Sequence, residues 1–265
     1  PTNQDTVFTT DTTVKGSAPV TIGNSGEAAV WFAPADTTEF TAGATMTTAS
    51  GSAGTILAPA TGGPYKLYVI DAAGNVSSPS SKTLTVDNTK PVINSGTTAT
   101  QKNESDLTST GVTVYTATAN ETVTWELTDG TTNFQIDQNG AVTNTVALSA
   151  AEYTFKVRAE DDVGNKSDEK QVTLTVIDDI APTNQNTVFG LVDKTVNSGA
   201  EVVIENTSEA AVWFAPSNTT VFIEGDTMTK RADATPLIIK APNTAGTYYL
   251  YVIDAEGNVS QPSTA

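Results

Sequence analysis

The sequence predicts an all-β chain made of three tandem antiparallel β-sandwiches. Short segments alternate polar and apolar residues, turn-forming residues recur at short intervals, and long phrases of the sequence repeat. Alternation with a period of two places every second side chain on one buried face, as in a strand of a sandwich. Gly, Asn, Asp and Pro between these segments supply turns, and no window has helical periodicity. Short strands with frequent turns are typical of an antiparallel sandwich.

The first and last thirds of the chain are close copies of one another. Three phrases recur in the same order: PTNQDTVF (1–8) as PTNQNTVF (182–189), EAAVWFAP (27–34) unchanged (209–216), and LYVIDAAGNVSSPS (67–80) as LYVIDAEGNVSQPS (250–263). The spacing between copies changes by only two residues, so the insertions are small and belong in loops. A repeat of this kind indicates that each copy is a structural unit.

The middle third differs in sequence from the outer thirds but has the same pattern of residues near its end. An Asp-x-x-Gly-Asn unit begins at Asp71, Asp161 and Asp254, about 90 residues apart, and each follows an alternating strand. The predicted domains are therefore residues 1–87, 88–178 and 179–265. Each junction has an acidic or amide pair followed by a proline, which suits the end of a strand because proline lacks an N–H donor.

One tryptophan lies in an early apolar strand of each segment, at Trp31, Trp125 and Trp213. A sandwich needs a bulky core residue at such a position, and this is the favoured interpretation. Stacking on sugars is the alternative, since carbohydrate-binding surfaces also use tryptophan.

Tyrosines and asparagines near the end of each segment predict two local features, a tyrosine corner and a tight hairpin turn. Tyr65, Tyr153 and Tyr248 precede the penultimate strand, where they are expected to form tyrosine corners. The Gly-Asn pairs of the Asp-x-x-Gly-Asn units are expected to close hairpin turns, because both residue types tolerate positive φ.

Composition argues against catalysis. The chain has no Cys and no His, which removes thiolate chemistry, the commonest general base and any Ser-His-Asp or Cys-His arrangement. The sequence therefore predicts a protein that is not an enzyme, with no catalytic residues and no bound organic cofactor.

The net charge of -17, from 13 basic and 30 acidic residues, limits the partners. Nucleic acid is disfavoured because phosphate contacts need clustered Lys and Arg, and anionic membranes are disfavoured for the same reason. No apolar stretch is long enough for membrane insertion. Acidity favours either a hard cation such as calcium or simple solubility, and both interpretations stay open.

Two resemblances follow from particular residues. The middle segment has Phe134-Gln135-Ile136-Asp137, then Gly140, then alternation from Tyr153 to Asp161, and it resembles cadherin-type repeats. The AVWFAP and LYVIDAxGNVS phrases of the outer segments resemble immunoglobulin-like modules of bacterial surface-layer (S-layer) proteins and of long adhesins from Gram-positive bacteria.

The cadherin resemblance implies that calcium binds at the junctions, but at a site with fewer ions and fewer ligands than in a cadherin. The junctions have only Asp87-Asn88 or Asp178-Asp179, and Ser149–Glu152 keeps only the Glu of the usual Asp-Arg-Glu motif. A single site is expected, with Glu121, Asp161 and Asp178 sharing one pole of the middle segment. The candidate ligands are Glu121, Asp161, Asp162, Asp178 and Asp179, with Asp71 and Asp87 in an analogous cluster. The alternative is that Asp71, Asp161 and Asp254 are turn residues that bond their own backbone.

The resemblance implies a structural function at the bacterial cell surface. The leading hypothesis is a self-assembling surface-layer component, with copies of itself as partner and with cell-wall attachment through a part of the parent protein outside this sequence. The alternative is the rigid stalk of an adhesin that displays a separate binding head. A sugar-binding accessory region is a third hypothesis.

Overall fold

A computed structural model describes residues 1–205, 207–232 and 237–265. The chain divides into two compact units. The first contains Pro1–Thr100, Gly111–Val146 and Tyr153–Leu174, and the second contains Gln101–Thr110, Ala147–Glu152 and Thr175–Ala265. Within the described residues, none of the helices has the length and apolar character that a membrane crossing requires.

The first segment is a two-sheet sandwich preceded by a short helix. Its elements are α1 (Gln4–Val7), β1 (Thr12–Val14), β2 (Pro19–Thr21), β3 (Ala29–Ala33), β4 (Thr47–Ser50), β5 (Thr55–Leu57), β6 (Gly63–Ile70) and β7 (Leu84–Val86). One sheet has the order β1-β7-β6-β3-β4 and the other pairs β2 with β5. Val20 of β2, Ile56 of β5 and Phe32 of β3 belong to one buried cluster, so the two sheets pack face to face.

The middle segment repeats this two-sheet plan. Its elements are β8 (Lys102–Asn103), a 3₁₀ helix (Glu104–Leu107), β9 (Thr113–Thr116), β10 (Thr124–Asp129), β11 (Phe134–Ile136), β12 (Ala141–Asn144), β13 (Ala151–Glu160) and β14 (Lys170–Ile177). The sheet orders are β10-β13-β14-β8 and β11-β12-β9. Phe155 of β13 contacts Phe134 of β11 (ring centroids 4.9 Å apart) and Tyr115 of β9 (5.7 Å), which joins the two sheets.

The third segment repeats the two-stranded sheet of the first and three strands of its larger sheet. Its elements are α2 (Gln185–Phe189), β15 (Glu201–Val203), β16 (Ala211–Ala215), β17 (Thr229–Ala232), β18 (Ile238–Lys240) and β19 (Tyr249–Ile253). The sheets are β15-β18 and β17-β16-β19. Val202 of β15, Ile239 of β18 and Phe214 of β16 share one buried cluster. The prediction of tandem β-sandwiches is confirmed.

Two strand pairs in the described part of the chain are parallel. β1 pairs in parallel with β7, through Thr12 with Leu84 and Val14 with Val86. β14 pairs in parallel with β8, through Val176 with Lys102. In both cases a strand from the start of a segment lies beside the last strand of that segment. The sheets of the described residues fall within 12–86, 102–177 and 201–253, while the predicted boundaries at 87/88 and 178/179 stay a prediction.

Two of the three tryptophans, Trp31 and Trp213, take a different place from the one predicted. Side chains alternate along a strand, so Val212 and Phe214 face the cluster between the sheets while Trp213 faces the other side of its sheet. Trp213 is 7% exposed there, packed on Phe222, whereas Trp31 and Trp125 are half-buried. In the outer segments phenylalanine, not tryptophan, fills the space between the sheets. In the middle segment Trp125 pairs with Ala159, which is fully buried on the inner face of the sheet, so Trp125 faces inward.

The predicted tyrosine corners at Tyr65 and Tyr248 have the expected hydrogen bond. The Tyr65 hydroxyl donates to the Thr61 carbonyl (2.8 Å), and the Tyr248 hydroxyl donates to the Thr244 carbonyl (2.7 Å). Tyr153 packs its ring against Phe134, with centroids 6.2 Å apart.

Candidate functional site

The three Asp-x-x-Gly-Asn units form the same hairpin turn. In the first, Asp71 Oδ1 accepts hydrogen bonds from the N–H groups of Ala73 (3.0 Å) and Asn75 (2.8 Å), and Asp71 Oδ2 accepts one from Asn75 Nδ2 (2.9 Å). Asp161 and Asp254 accept the same three bonds in their own turns. The glycine of each unit has positive φ, 85° at Gly74, which a residue with a Cβ rarely adopts. The three aspartates therefore bond the backbone of their own turns, as the turn interpretation predicts.

These hydrogen bonds favour ionised carboxylates. The Asn75 side chain and backbone hold the pKa of Asp71 below its ordinary value. Burial acts to raise the pKa of Asp161, but the side-chain and backbone hydrogen bonds of Asn165 outweigh it and lower the pKa.

The asparagine of the turn also reaches the linker that precedes its segment. Asn165 Nδ2 donates to the main-chain carbonyl of Asp87 (3.0 Å), and Asn258 Nδ2 donates to the carbonyl of Asp178 (3.2 Å). Asn165 is 3% exposed, so its amide is shielded from water. The same hydrogen bond thus occurs at both junctions. At each junction it joins the repeated turn to the last residue of the preceding segment.

Further contacts secure the first junction. Lys15 Nζ donates to the carbonyl of Gly164 (3.4 Å), within the turn that also holds Asn165. Lys90 forms an exposed ion pair with Asp168 (3.1 Å). Exposed pairs of this kind contribute little to stability, so the buried asparagine is the principal polar contact here.

One group of carboxylates comes together among the described residues. Ligand oxygens of Asp178, Asp254 and Glu256 lie within 4.8 Å of one another. Asp254 is 8% exposed, Asp178 is half-buried and Glu256 is exposed. Asp254 Oδ1 already accepts two hydrogen bonds and Oδ2 accepts one, while Asp178 Oδ1 accepts one from the Ile180 N–H (2.9 Å).

These three carboxylates supply some, but not all, of the oxygen ligands that a hard cation requires. Each carboxylate oxygen has two lone pairs, so Asp254 Oδ2 and the carboxylate of Asp178 keep capacity for another contact. Calcium takes about six to eight oxygens, and three carboxylates supply a part of that number. Water or main-chain carbonyls would have to supply the rest.

The predicted ligands are distributed differently from the expectation. The structure brings the turn of Asp161 to Asp87, and the turn of Asp254 to Asp178. Asp161 precedes β14 (Lys170–Ile177) and Asp178 follows it. The expectation that Asp161 and Asp178 share one pole did not take this intervening strand into account.

The other predicted ligands have their own surroundings. Asp87 Oδ1 accepts the Thr89 N–H (2.8 Å). Asp179 accepts hydrogen bonds from the Ser105 hydroxyl and N–H, which lower its pKa. Glu121 and Asp162 are exposed.

Sequence reasoning missed Asp254 and Glu256 as partners of Asp178. A signal was present, because the third unit reads Asp-Ala-Glu-Gly-Asn where the first reads Asp-Ala-Ala-Gly-Asn and the middle reads Asp-Asp-Val-Gly-Asn. The acidic residue at the third position of the turn distinguishes the second junction from the first, whose turn has Asp162 at the second position.

Comparison with known proteins gives remote structural likenesses. No protein-family model matches the sequence, and a search of curated proteins gave no match. Among solved structures, Drosophila N-cadherin EC1-3 is 13% identical, with 94% of each chain covered and a TM-score of 0.32. Extracellular domains 3-5 of Drosophila OTK are 12% identical, covering 95% of this chain and 93% of that chain, with a TM-score of 0.31. The D00-D0 domain of Intimin is 12% identical, covering 65% of this chain and 98% of that chain, with a TM-score of 0.31.

These TM-scores are too low to carry an argument about function. The assignment to all-β tandem sandwiches rests on the strand pairing and the buried clusters of the chain itself.

Proposed function

We propose that this chain is a structural part of a bacterial cell-surface protein, most specifically a component of a self-assembling surface layer. The observation that carries the proposal is the repeated junction contact, in which the asparagine of each closing turn bonds the linker carbonyl before its segment. A buried amide that joins turn and linker restrains the chain between sandwiches. Restraint of this kind suits a protein whose task is to keep modules at fixed spacing.

The composition supports a structural task and not a catalytic one. A chain without His and Cys lacks the commonest acid–base and nucleophilic groups. Its net charge of -17 keeps it soluble outside the cell and disfavours nucleic acid and anionic membranes as partners. Copies of the same chain are the proposed partners, on the extracellular face of a bacterium.

Calcium is the proposed ligand of the second junction. Asp178, Asp254 and Glu256 are the residues that would hold it, with the remaining oxygens supplied by water or carbonyls. A bound calcium ion would offset two of the three negative charges of the converging carboxylates and add a further restraint between the linker and the closing turn.

Electron microscopy distinguishes the proposal from its alternative. The purified protein would be imaged in negative stain after dialysis into millimolar calcium and, in parallel, into chelator. We expect ordered sheets or tubes in calcium that are absent in chelator. Isolated rods under both conditions would favour the adhesin stalk, which needs the same restrained junctions but no self-association.

The sugar-binding hypothesis has less support from side-chain positions. Trp213 is buried on Phe222, with ring centroids 5.6 Å apart, and Trp31 packs on Phe40 at the same distance. A ring covered by a neighbour offers less free face for stacking on a sugar.

A further inference from the structure

The sequence contains one Asp-Gly pair, Asp129-Gly130, and one Asn-Gly pair, Asn139-Gly140, both in the middle segment. Such pairs share a reaction of the peptide backbone, in which the glycine nitrogen attacks the side-chain carbonyl carbon of the residue before it. Glycine favours this reaction because it has no side chain to obstruct the approach of the nitrogen. The structure places the two glycine nitrogens in different surroundings.

Both glycines are required by their own surroundings. Gly130 has a φ of 80° and Gly140 has a φ of 82°, in the left-handed region that other residues rarely adopt. A Cβ added at Gly130 would lie 2.6 Å from Phe155 Cβ. A Cβ added at Gly140 would lie 2.5 Å from the carbonyl oxygen of Ala117. Neither position can therefore take a bulkier residue that would protect the side chain before it.

The nitrogen of Gly130 lies against the side chain that it would attack. Its N–H donates to Asp129 Oδ1 over 2.8 Å, so this hydrogen bond joins two consecutive residues. Because Oδ1 is bonded to Cγ, the contact holds the nitrogen beside the carboxyl carbon. Reacting atoms held about 3–3.5 Å apart are in a near-attack arrangement, which removes much of the entropic cost of the reaction in advance. Asp129 is exposed, so water can reach it.

Other aspartates at turns direct their carboxylates elsewhere. Asp71 Oδ1 accepts the N–H of Ala73, two residues further along the chain. Asp87 Oδ1 likewise accepts the N–H of Thr89. The contact at Asp129 is therefore more than the ordinary consequence of placing an aspartate at a turn.

The Asn-Gly pair has the opposite arrangement. The Gly140 N–H donates to the main-chain carbonyl of Asp137 over 3.1 Å. Asp137 Oδ1 also accepts the N–H groups of Asn139 and Ala141, both at 2.8 Å, which fixes the turn on either side of the glycine. The Gly140 nitrogen is thus held by a carbonyl oxygen and not by the side chain of Asn139.

We infer that Asp129 is a modification site, at which the folded chain converts aspartate to isoaspartate without an enzyme. The Gly130 nitrogen bonds to Asp129 Cγ, and one carboxyl oxygen leaves as water with the amide proton and a proton from solvent. The product is a five-membered succinimide, and a water molecule then cleaves one of its two bonds between nitrogen and a carbonyl carbon. Cleavage at Cγ restores aspartate, whereas cleavage at the main-chain carbonyl leaves the backbone running through Cγ as isoaspartate. The inference goes beyond the proposed structural function.

The modification adds a methylene group to the backbone at the end of β10. The register of β10 already shifts there, between Leu127 and Asp129. The carbonyl of Gly130 accepts the N–H groups of Asn133 and Phe134, both at 3.1 Å, and Phe134 is a core residue that is 2% exposed. A longer backbone at residue 129 therefore alters the turn that positions a core side chain, and isoaspartate should lower the stability of the middle segment.

Mass spectrometry of aged protein tests the inference. The intact chain would be incubated at neutral pH, folded in buffer and in parallel unfolded in guanidinium chloride, and then cleaved with chymotrypsin. Cleavage after Phe134 separates the peptide of Asp129 from that of Asn139. Synthetic peptides that contain isoaspartate identify each product by its elution. Conversion at Asn139 also raises the mass, because OH replaces NH2.

The expected result is a reversal of the order of the two sites. In guanidinium chloride the Asn-Gly pair should react faster, because a neutral amide is attacked more readily than an ionised carboxylate. In the folded protein the contact at Asp129 favours the Asp-Gly pair, so the ratio of the initial rate at Asp129 to that at Asn139 should fall by roughly tenfold or more on unfolding. A ratio that does not change, or a folded protein in which Asp129 is not converted, would overturn the inference.

Two variants test the geometry at each site, with circular dichroism to show that both are folded. Asp129→Glu keeps the charge but lengthens the side chain, so the five-membered ring cannot form and isoaspartate at residue 129 should be lost. Asp137→Ala removes the carboxylate that accepts the Asn139 and Ala141 N–H groups, so it should loosen the second turn and raise the rate at Asn139. An unchanged rate at Asn139 would mean that the hydrogen bonds of the turn do not control the reaction, contrary to the inference.

Discussion

The side-chain amide of Asn165 donates one hydrogen bond to Asp161 Oδ2 over 2.9 Å and another to the main-chain carbonyl of Asp87 over 3.0 Å. Asn165 thus stabilises its own turn and also joins that turn to the linker before the middle segment. Asn258 has the corresponding bonds to Asp254 and Asp178. The side-chain amide of Asn75 donates to Asp71 within its own turn. The three asparagines therefore allow the contribution of the linker bond to be separated from that of the turn.

We predict that Asn165→Ala lowers the free energy of unfolding by about 1–3 kcal/mol, because a buried carboxylate and a carbonyl lose their donor. Asn75→Ala, at an exposed position, should cost less. Urea unfolding followed by tryptophan fluorescence would compare them. Equal losses for the two variants would show that the linker bond contributes nothing.

Stability should also fall in acid. Hydrogen bonds from Asn165 lower the pKa of Asp161 in the folded state despite its burial. Because the unfolded chain binds that proton more readily, the stabilisation is present above the unfolded pKa of about 4 and is lost as pH falls through the folded pKa. Unfolding free energies measured between pH 2 and pH 7 should decrease on the acid side. Asp161→Asn should flatten this decrease, and Asp162→Asn at the exposed neighbour should not.

The turn at Asp161 was predictable because its hydrogen bonds are confined to five consecutive residues. The same holds for the strands, whose alternation is a local pattern, and for the tyrosine corners at Tyr65 and Tyr248. The helices α1 and α2 were not predicted, since four or five residues are too few to display helical periodicity.

Contacts between distant parts of the chain were predicted poorly. Asp178 and Asp254 meet because a turn late in the third segment folds back onto its own linker, and neither residue's neighbours indicate this. The side of the sheet that each strand buries was also ambiguous in Val-Trp-Phe, where three consecutive apolar residues fit either register.

Calcium should raise the thermal stability of the protein if the second junction binds it. A ligand that binds only the folded state raises the midpoint of unfolding, and chelator should reverse the rise. Glu256→Gln should reduce the calcium-dependent shift, because it removes one of three converging carboxylates. Glu224→Gln changes the net charge equally at another exposed position and serves as the control. Identical midpoints in calcium and in chelator would refute calcium binding.

The two aromatic residues of the repeated Val-Trp-Phe phrase should differ sharply in their contribution to stability. Phe32 is fully buried between the sheets and contacts Phe8 edge-on, with ring centroids 5.2 Å apart. Phe32→Ala should cost about 3–5 kcal/mol, because it leaves a cavity that the surrounding strands fill only in part. Trp31 is half-buried on the other side of the sheet against Phe40, so Trp31→Ala should cost less despite the larger side chain. Urea unfolding monitored by circular dichroism measures both, and a larger loss for Trp31→Ala would mean that the outer aromatic cluster, not the space between the sheets, dominates the stability of the first segment.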